Sequence, residues 1–362
     1  MAFSLPAYRA PDFSAPVLSS APDVQTAPAP RDGVVPEGYH ATTIFPEYFR
    51  VGGVFTLARE SRMDCVAVLE SDGSIAVREF RNVKAGDAVV LGRTEDGSEG
   101  IFVHTDGFAG PQTGAAEPFS FRQSRSRETA YSCDYDRLYE LLRYERGHGR
   151  ILWVLGPACS FDSDARNAMA SLIDRGLCHG LLAGNALATH DLEGALLRTA
   201  LGQDIYTQVA APGGHYHHID VLNKVRACGS IPAFIKTYGI RDGIMNACVQ
   251  RDVPFVLAGS IRDDGPLPEV YGDVYRAQDA MRALLREATT VICLATQLHS
   301  IAAGNMTPSF RVVDGAVRPV YLYCVDISEF VVGKLRDRGS LAVKTFVANA
   351  QDFLVNVERG TR

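Results

Sequence analysis

Five short apolar runs decide what this chain can become: ILWVL (151–155), LCHGLLA (177–183), PFVLA (254–258), TVICLA (290–295) and PVYLYCV (319–325). None shows the apolar–polar alternation of a strand that is wet on one face. Between them lie stretches with helical spacing. DYDRLYELLRYERG stops at Gly147, and DSDARNAMASLIDRG offers Asp162 or Ser163 as its cap. Strands buried on both sides and separated by helices form a parallel sheet covered on two faces. The spacing therefore predicts a doubly wound α/β domain over 126–362.

The text before it differs. Residues 1–36 carry seven prolines among Ala, Ser and Asp. Such a segment buries too little apolar surface to offset its ordering entropy. We expect residues 1–38 to be a flexible arm, either a loose tail or a strap that wraps a neighbour. Over 39–125, runs such as YFRV, VFTLA, CVAVLE, SIAVREF, DAVVLG and GIFVHT recur about every ten residues, with Gly and Asp at the breaks. That pattern predicts a small β-rich subdomain, a barrel or sandwich of five to seven strands. A polar stretch, TDGFAGPQTGAAEPFSFRQSRSRET, links it to the α/β part.

Composition narrows the partners. The net charge of −6 gives no general attraction to phosphate backbones, so no nucleic acid is expected. No apolar run approaches the roughly 18 residues of a membrane span, so no membrane partner is expected either. The eight cysteines are scattered without a CxxC pair, and the N-terminus has no basic region followed by an apolar core. Reduced thiols and a cytoplasmic protein are the expectation.

Ligands of open α/β sheets bind outside the carboxyl ends of the strands. Here those ends read Gly156-Pro157, Gly184-Asn185-Ala186, Gly259-Ser260 through Asp263-Asp264-Gly265, and Asp326. His299 and the stretch Ala303, Gly304, Asn305, Met306 follow TVICLA. An acid directly after an apolar strand, as Asp326 is, suits the ribose hydroxyls of NAD; equally, it suits capping of a helix that starts at Ser328. No GxGxxG run is present, so a phosphate cradle would be assembled from several turns. His190 and Asp191, with Glu193, set an imidazole among carboxylates, an arrangement that tunes proton transfer or merely charges a helix start. GGHYHH (213–218) contains His215, which suits a general base, but no metal is expected because no CxxC or HExxH accompanies it. There is no GxSxG, and Lys224, Lys236 and Lys334 fall in solvated helical patterns, so covalent catalysis is disfavoured.

Several longer strings carry more. LLAGNALATHDLEGALLRTALG, GGHYHH before VLNKVRACGSI, GIMNACVQRDVPFVLAGSIRDDGPLP, QLHSIAAGNM and CVDISEFVVGKLRDRGS closely resemble the ornithine cyclodeaminase domain of the bifunctional arginine dihydrolase/ornithine cyclodeaminase (LOR/SDH-like) family. The resemblance runs from about Tyr39 to the C-terminus. It implies a NAD-binding α/β domain akin to that of deoxyhypusine synthase, preceded by the β-rich subdomain, and a homo-oligomer. It further implies NAD contacts at Asn185, Ala186, Asp264, Ala303, Gly304, Asn305, Met306 and Asp326. The implied substrate is a basic amino acid, ornithine, converted to proline and ammonia without net redox change. Proton handling is then expected of His190, Asp191 and Asp263, with His215 or His299 near the substrate. From the length of 362 residues, the dihydrolase domain that precedes these units in the bifunctional proteins is expected to be absent.

The chain departs from the family pattern in places. Cys159-Ser160-Phe161-Asp162 stands where a His-Thr-Gly type turn is usual. Ala41-Thr42-Thr43-Ile44 lacks an expected Asn, and Ala200 and Gln297 replace Ser and Met. The cofactor side is thus better kept than the substrate side. A dehydrogenase or another ammonia lyase on a different amine, and a NAD-binding sensor without turnover, remain the alternatives.

Overall fold

The computed structural model describes residues 3–108, 132–336 and 340–362. The expected linker, and with it the 125/126 boundary, lies largely outside the described residues.

The apolar runs do form one sheet. Its strands are β1 (Ile151–Leu155), β2 (Gly180–Gly184), β3 (Phe255–Ala258), β4 (Val270–Tyr271), β5 (Thr290–Leu294), β6 (Tyr321–Asp326) and β7 (Ala342–Val347). They lie in the order β4-β3-β2-β1-β5-β6-β7, and every neighbouring pair is parallel. The chain winds outward from β1 to one edge, returns, and winds outward again from β5. The reversal lies between β1 and β5, where Ile151 stands opposite Thr290 and Leu155 opposite Leu294.

Among the described residues of the α/β half there are ten α-helices, in chain order α1 (Ser132–His148), α2 (Ser163–Asp174), α3 (Asn185–Leu197), α4 (His217–Cys228), α5 (Ile231–Tyr238), α6 (Ile244–Gln250), α7 (Val274–Leu285), α8 (Gln297–Met306), α9 (Glu329–Arg336) and α10 (Ala350–Gly360). The two-residue alternation of strand side chains explains why the runs must be apolar throughout. Ile151, Trp153, Leu155, Leu181, Ala183, Ile292 and Leu294 pack beneath α1 to α6 and α10. Leu152, Val154, Leu182, Val291 and Cys293 pack on the other face against α7 and α8. Asp162 caps α2, its side chain accepting from Ala165 N at 2.8 Å.

Seven short strands lie between Glu47 and Val103, mostly in antiparallel pairs, as the break spacing predicts. Two further pieces join them. Gln25–Pro28 pairs antiparallel with Ala88–Leu91. Phe13 packs on Tyr48 and stacks on Phe55, and the Tyr8 and Tyr48 hydroxyls lie 2.8 Å apart. The Pro-rich segment, expected as a flexible arm, is instead laid along the β-rich region. Proline is tolerated there because the added strand is an edge strand. The second piece comes from the α/β half: a hairpin of Phe310–Val313 and Ala316–Pro319, turned at Asp314-Gly315, pairs through Phe310 and Arg311 with Ser61 and Glu60. Both turn residues have positive φ (50° and 79°), the geometry an Asp-Gly hairpin turn requires. No helix among the described residues is long and apolar enough to cross a membrane.

Candidate active site

The sheet reverses between β1 and β5, and the crevice outside their carboxyl ends is the expected ligand position. The backbones come close there. Gly156 N donates to Leu294 O at 2.8 Å, and a Cβ at residue 156 would lie 1.9 Å from Ala295 O. Ala295 itself has φ of +49°, a conformation costly for a residue with a Cβ. Its amide donates to Val325 O at 3.0 Å, so the ends of β1, β5 and β6 are tied in a fixed arrangement. Cys159, in the turn after β1, is fully buried, and burial pushes its thiol up to about 12. That removes it as a thiolate nucleophile near neutral pH.

The next strand end adds polar groups. Gly184 closes β2 and Asn185 opens α3. The Asn185 Oδ1 accepts from Leu267 N at 3.0 Å and from the Thr189 hydroxyl at 3.4 Å, which ties the start of α3 to the loop after β3. Ala186 follows, half-buried. A Cβ on Gly184 would sit 3.1 Å from His299 Cε1, so the first turn of α8 crosses to the end of β2. Burial holds the His299 imidazole below its usual pKa, against the opposing pull of the Asp263 carboxylate. Asp263 is fixed in turn by Ser260 N, which donates to its Oδ2 at 2.8 Å. His299 thus lies beside the end of β2, next to the residue that precedes Asn185, and within electrostatic reach of Asp263, while Asp264 is exposed. At the end of β6 the Asp326 Oδ1 accepts from Ser328 N at 2.9 Å. This is a turn ahead of α9 rather than a cap, since α9 begins at Glu329 and Ser328 Oγ accepts from Val331 N at 3.5 Å; one carboxylate oxygen of Asp326 is engaged.

The model of the "Arginine dihydrolase ArgZ-like, C-terminal, Rossmann fold" family matches residues 138–357. A curated ornithine cyclodeaminase of Methanopyrus kandleri is 39% identical over 334 residues, 92% of this chain and 77% of that protein. The crystal structure of a conserved LOR/SDH protein from Methanococcus maripaludis superposes with a TM-score of 0.84 at 34% identity, covering 94% of this chain and 98% of that one. AgrE, solved as a ternary complex with ornithine and NAD+, superposes with a TM-score of 0.59 at 32% identity, over 94% of this chain and 46% of AgrE. The chain belongs to the ArgZ-like C-terminal family. Its doubly wound domain is that family's Rossmann fold.

Within this family member, the residues expected at the site divide into three groups. Asn185, Ala186, Asp263, Asp264, His299 and Asp326 lie at carboxyl ends of strands or in the turns that follow them. His190 lies farther along α3, nearly buried, with Nδ1 2.9 Å from Glu193 Oε2 and its ring against Phe161. The third group corrects expectation. Asp191 is fully buried: its Oδ1 accepts from Arg166 Nε and Ile244 N, both at 2.9 Å, and its Oδ2 accepts from Met245 N at 2.8 Å. These bonds make it a structural anchor of α6 rather than a proton handler. His215 is exposed, its ring against Tyr216.

Ala303, Gly304, Asn305 and Met306 are not a turn but the last turn of α8. At about 1.5 Å per residue, Gly304 lies roughly 10 Å along the axis from Gln297. Ala303 is buried in the core, and the Met306 carbonyl accepts from Arg62 of the β-rich region at 3.2 Å. Asn305 lines a cavity of about 320 Å³ shared with Met63 and Cys65. The α8 residues at the strand end are Gln297, Leu298 and His299. Their position directly after TVICLA was the available signal. Among the described residues no three metal-ligating side chains converge.

Proposed function

We propose that this chain catalyses the NAD-dependent conversion of ornithine to proline and ammonia. The observation that carries the reading is His299 beside the end of β2 and within electrostatic reach of Asp263, next to the β1/β5 reversal, in a chain 39% identical to an ornithine cyclodeaminase. The protein is an enzyme of the NAD-dependent cyclodeaminase type. Two features bear on the cofactor, a fixed backbone arrangement at the reversal and a carboxylate oxygen at the end of β6. Gly156 lets backbones approach where a side chain would collide, and Asp326 has a second carboxylate oxygen beyond the one engaged by Ser328.

When bound, NAD supplies a hydride acceptor for the substrate Cα and a hydride donor at the end of the cycle, so the overall reaction is redox-neutral. Asp326 takes the ribose hydroxyls. Asn185, Ala186, Asp264 and the first turn of α8 line the remainder of the cofactor path. Between the two hydride transfers the substrate imine is attacked by the distal amine, and ammonia leaves. Each step moves a proton. His299, held neutral by burial, accepts one from a substrate amine, and Asp263 opposite it holds a cationic amine in place. His190 stands as the second base, deeper along α3. The protein's share is orientation and exclusion of water.

Exposed Leu201, Tyr206, Val209, Tyr216 and Ile219 lie within nineteen residues of one another in sequence, which supports a homo-oligomer formed through this segment. The eight free cysteines suit a cytoplasmic location.

The test is direct. Incubation of the purified protein with ornithine and NAD+ gives proline and ammonia in equal amounts, without net growth of absorbance at the NADH band. Net NADH accumulation would instead make it a dehydrogenase. Tight NAD binding with no turnover across basic amino acids would make it a sensor.

A further inference from the structure

Two stretches that stand apart in the sequence, His190 to Glu193 and the histidines of GGHYHH, meet in the fold around one carboxylate. Glu193 is fully buried. Its Oε2 lies 2.9 Å from His190 Nδ1 and accepts from Leu201 N at 3.1 Å. The Oε1 accepts from the Thr199 hydroxyl and from Gly202 N, both at 2.9 Å. Thr199 Oγ1 also lies 2.8 Å from His217 Nδ1. Burial alone would raise the Glu193 carboxyl. The bonds from His190, Gly202 and Thr199 outweigh it and hold the group below its ordinary value, hence ionised and accepting only.

The tautomers follow by elimination. An ionised carboxylate cannot donate, so His190 carries its proton on Nδ1. Thr199 has one proton and gives it to Glu193, so its oxygen must accept from His217 Nδ1–H. Both imidazoles are thereby left with Nε2 as the unprotonated ring nitrogen.

We infer that Glu193 is a positioning residue for two histidines, His190 directly and His217 through Thr199, and that the pair carries one exchangeable proton between them. A single buried carboxylate stabilises one imidazolium well and two poorly. One histidine is therefore a base while its partner is an acid. Cyclodeamination needs that complement: a proton leaves the attacking nitrogen, another joins the departing one, and the pair ends as it began. No oxidant or reductant enters this part of the cycle. The other groups around the site do not displace this reading. His218 of α4 lies with its ring centroid 6.1 Å from that of His190, and Phe161 packs on the ring edge. Asp191, the next residue of α3, is compensated by Arg166 of α2 at 2.9 Å. Arg198 and Asp204 interact with each other on the adjoining loop.

The inference rests on the proton-handling role given to His190 above, so the experiment reads the histidines as well as turnover. Protein labelled with ¹⁵N-histidine is followed by NMR across pH in wild type, Glu193→Gln, Thr199→Val and Thr199→Ser. In wild type His190 and His217 are both Nδ1–H tautomers, and the signals of one respond as the other titrates. Thr199→Val breaks that response and Thr199→Ser keeps it. In turnover, Glu193→Gln lowers kcat at least about 100-fold and moves the acidic limb of kcat/KM to lower pH, while NAD binding is unchanged. A merely structural Glu193 would lower activity evenly across pH. An even loss, or histidines that titrate independently in wild type, overturns the inference. Histidines that behave as stated in a protein that turns over no basic amino acid would leave the proton pair standing and remove the substrate reading.

Discussion

Asp191 separates a structural from a chemical account of the α3 segment. Asp191→Ala leaves the Arg166 side chain, 1% exposed, without its close partner, since Asp242 is 3.5 Å away and itself half-exposed. Breaking one side of a buried ion pair costs about 3–5 kcal/mol. The substitution also strands the amides of Ile244 and Met245 at the start of α6, worth about 1–3 kcal/mol for each that stays dry. These costs overlap, so the upper end of the first range is the sensible figure. For a domain of this size each kcal/mol lowers Tm by about 2–4 °C, so a fall of about 10 °C or more is expected in calorimetry. Asp191→Asn keeps one acceptor oxygen and loses the charge, and should fall by roughly half as much. Turnover of the folded protein, measured well below the transition, should stay within about tenfold of wild type, because loss of an acid–base group typically costs 10²–10⁴. A Tm within about 1 °C of wild type together with a 100-fold loss of kcat would refute the argument and return Asp191 to the chemistry.

Three other predictions follow from the same geometry. Asp326→Ala should raise KM for NAD about tenfold, the worth of one charge-assisted bond, and narrow the preference for NAD over NADP in initial-rate assays. Gly184→Ala places a methyl 3.1 Å from the His299 ring, so NAD or ornithine affinity should fall while circular dichroism and Tm stay close to wild type. His179 titrates against stability: its Nδ1 accepts from Ile151 N at 2.9 Å, and burial together with the Arg150 charge depresses its pKa. The folded state thus binds fewer protons than the unfolded one. The stabilisation is present above the unfolded value of about 6.5 and fades as pH falls through the lower folded value. Urea midpoints should drop between pH 8 and pH 5.5, and His179→Asn, which keeps an acceptor, should flatten that dependence.

The central strands were legible because burial on both faces makes them short continuous apolar runs, too short for buried helices and spaced by stretches of helical periodicity. The edges were not. β4 is two residues long, and β7 reads AVKTFV with Lys344 exposed, so each looks like ordinary half-wet chain. The 310–319 hairpin was hidden for another reason. Its partner, Glu60–Ser61, lies some 250 positions away and is itself two residues long. In the Pro-rich segment composition argued for looseness. The contacts of Tyr8 and Phe13 that hold it down depend on Tyr48, 40 and 35 positions distant.

At the site, sequence proximity misled wherever helix geometry was not applied. His190 and Asp191 are neighbours in the text, but about 100° of helix rotation separates them, and they serve different partners. His190 and Glu193, three apart, share a face and meet. The same arithmetic governs α8. A run of Ala, Gly and Asn reads as a phosphate-binding turn only if it directly follows its strand. Here Gly304 stands ten residues beyond the end of β5, at the far end of a continuous helix. The position a dinucleotide fold reserves for its ligand is the first turn after the strand, and in this chain that turn is Gln297-Leu298-His299. His299 is therefore expected at the site from its distance from TVICLA, whereas Ala303 to Met306 are expected there from the family resemblance. In the fold His299 lies in the first turn of α8, beside the end of β2, while Ala303 to Met306 form its last turn, where the Met306 carbonyl accepts from Arg62.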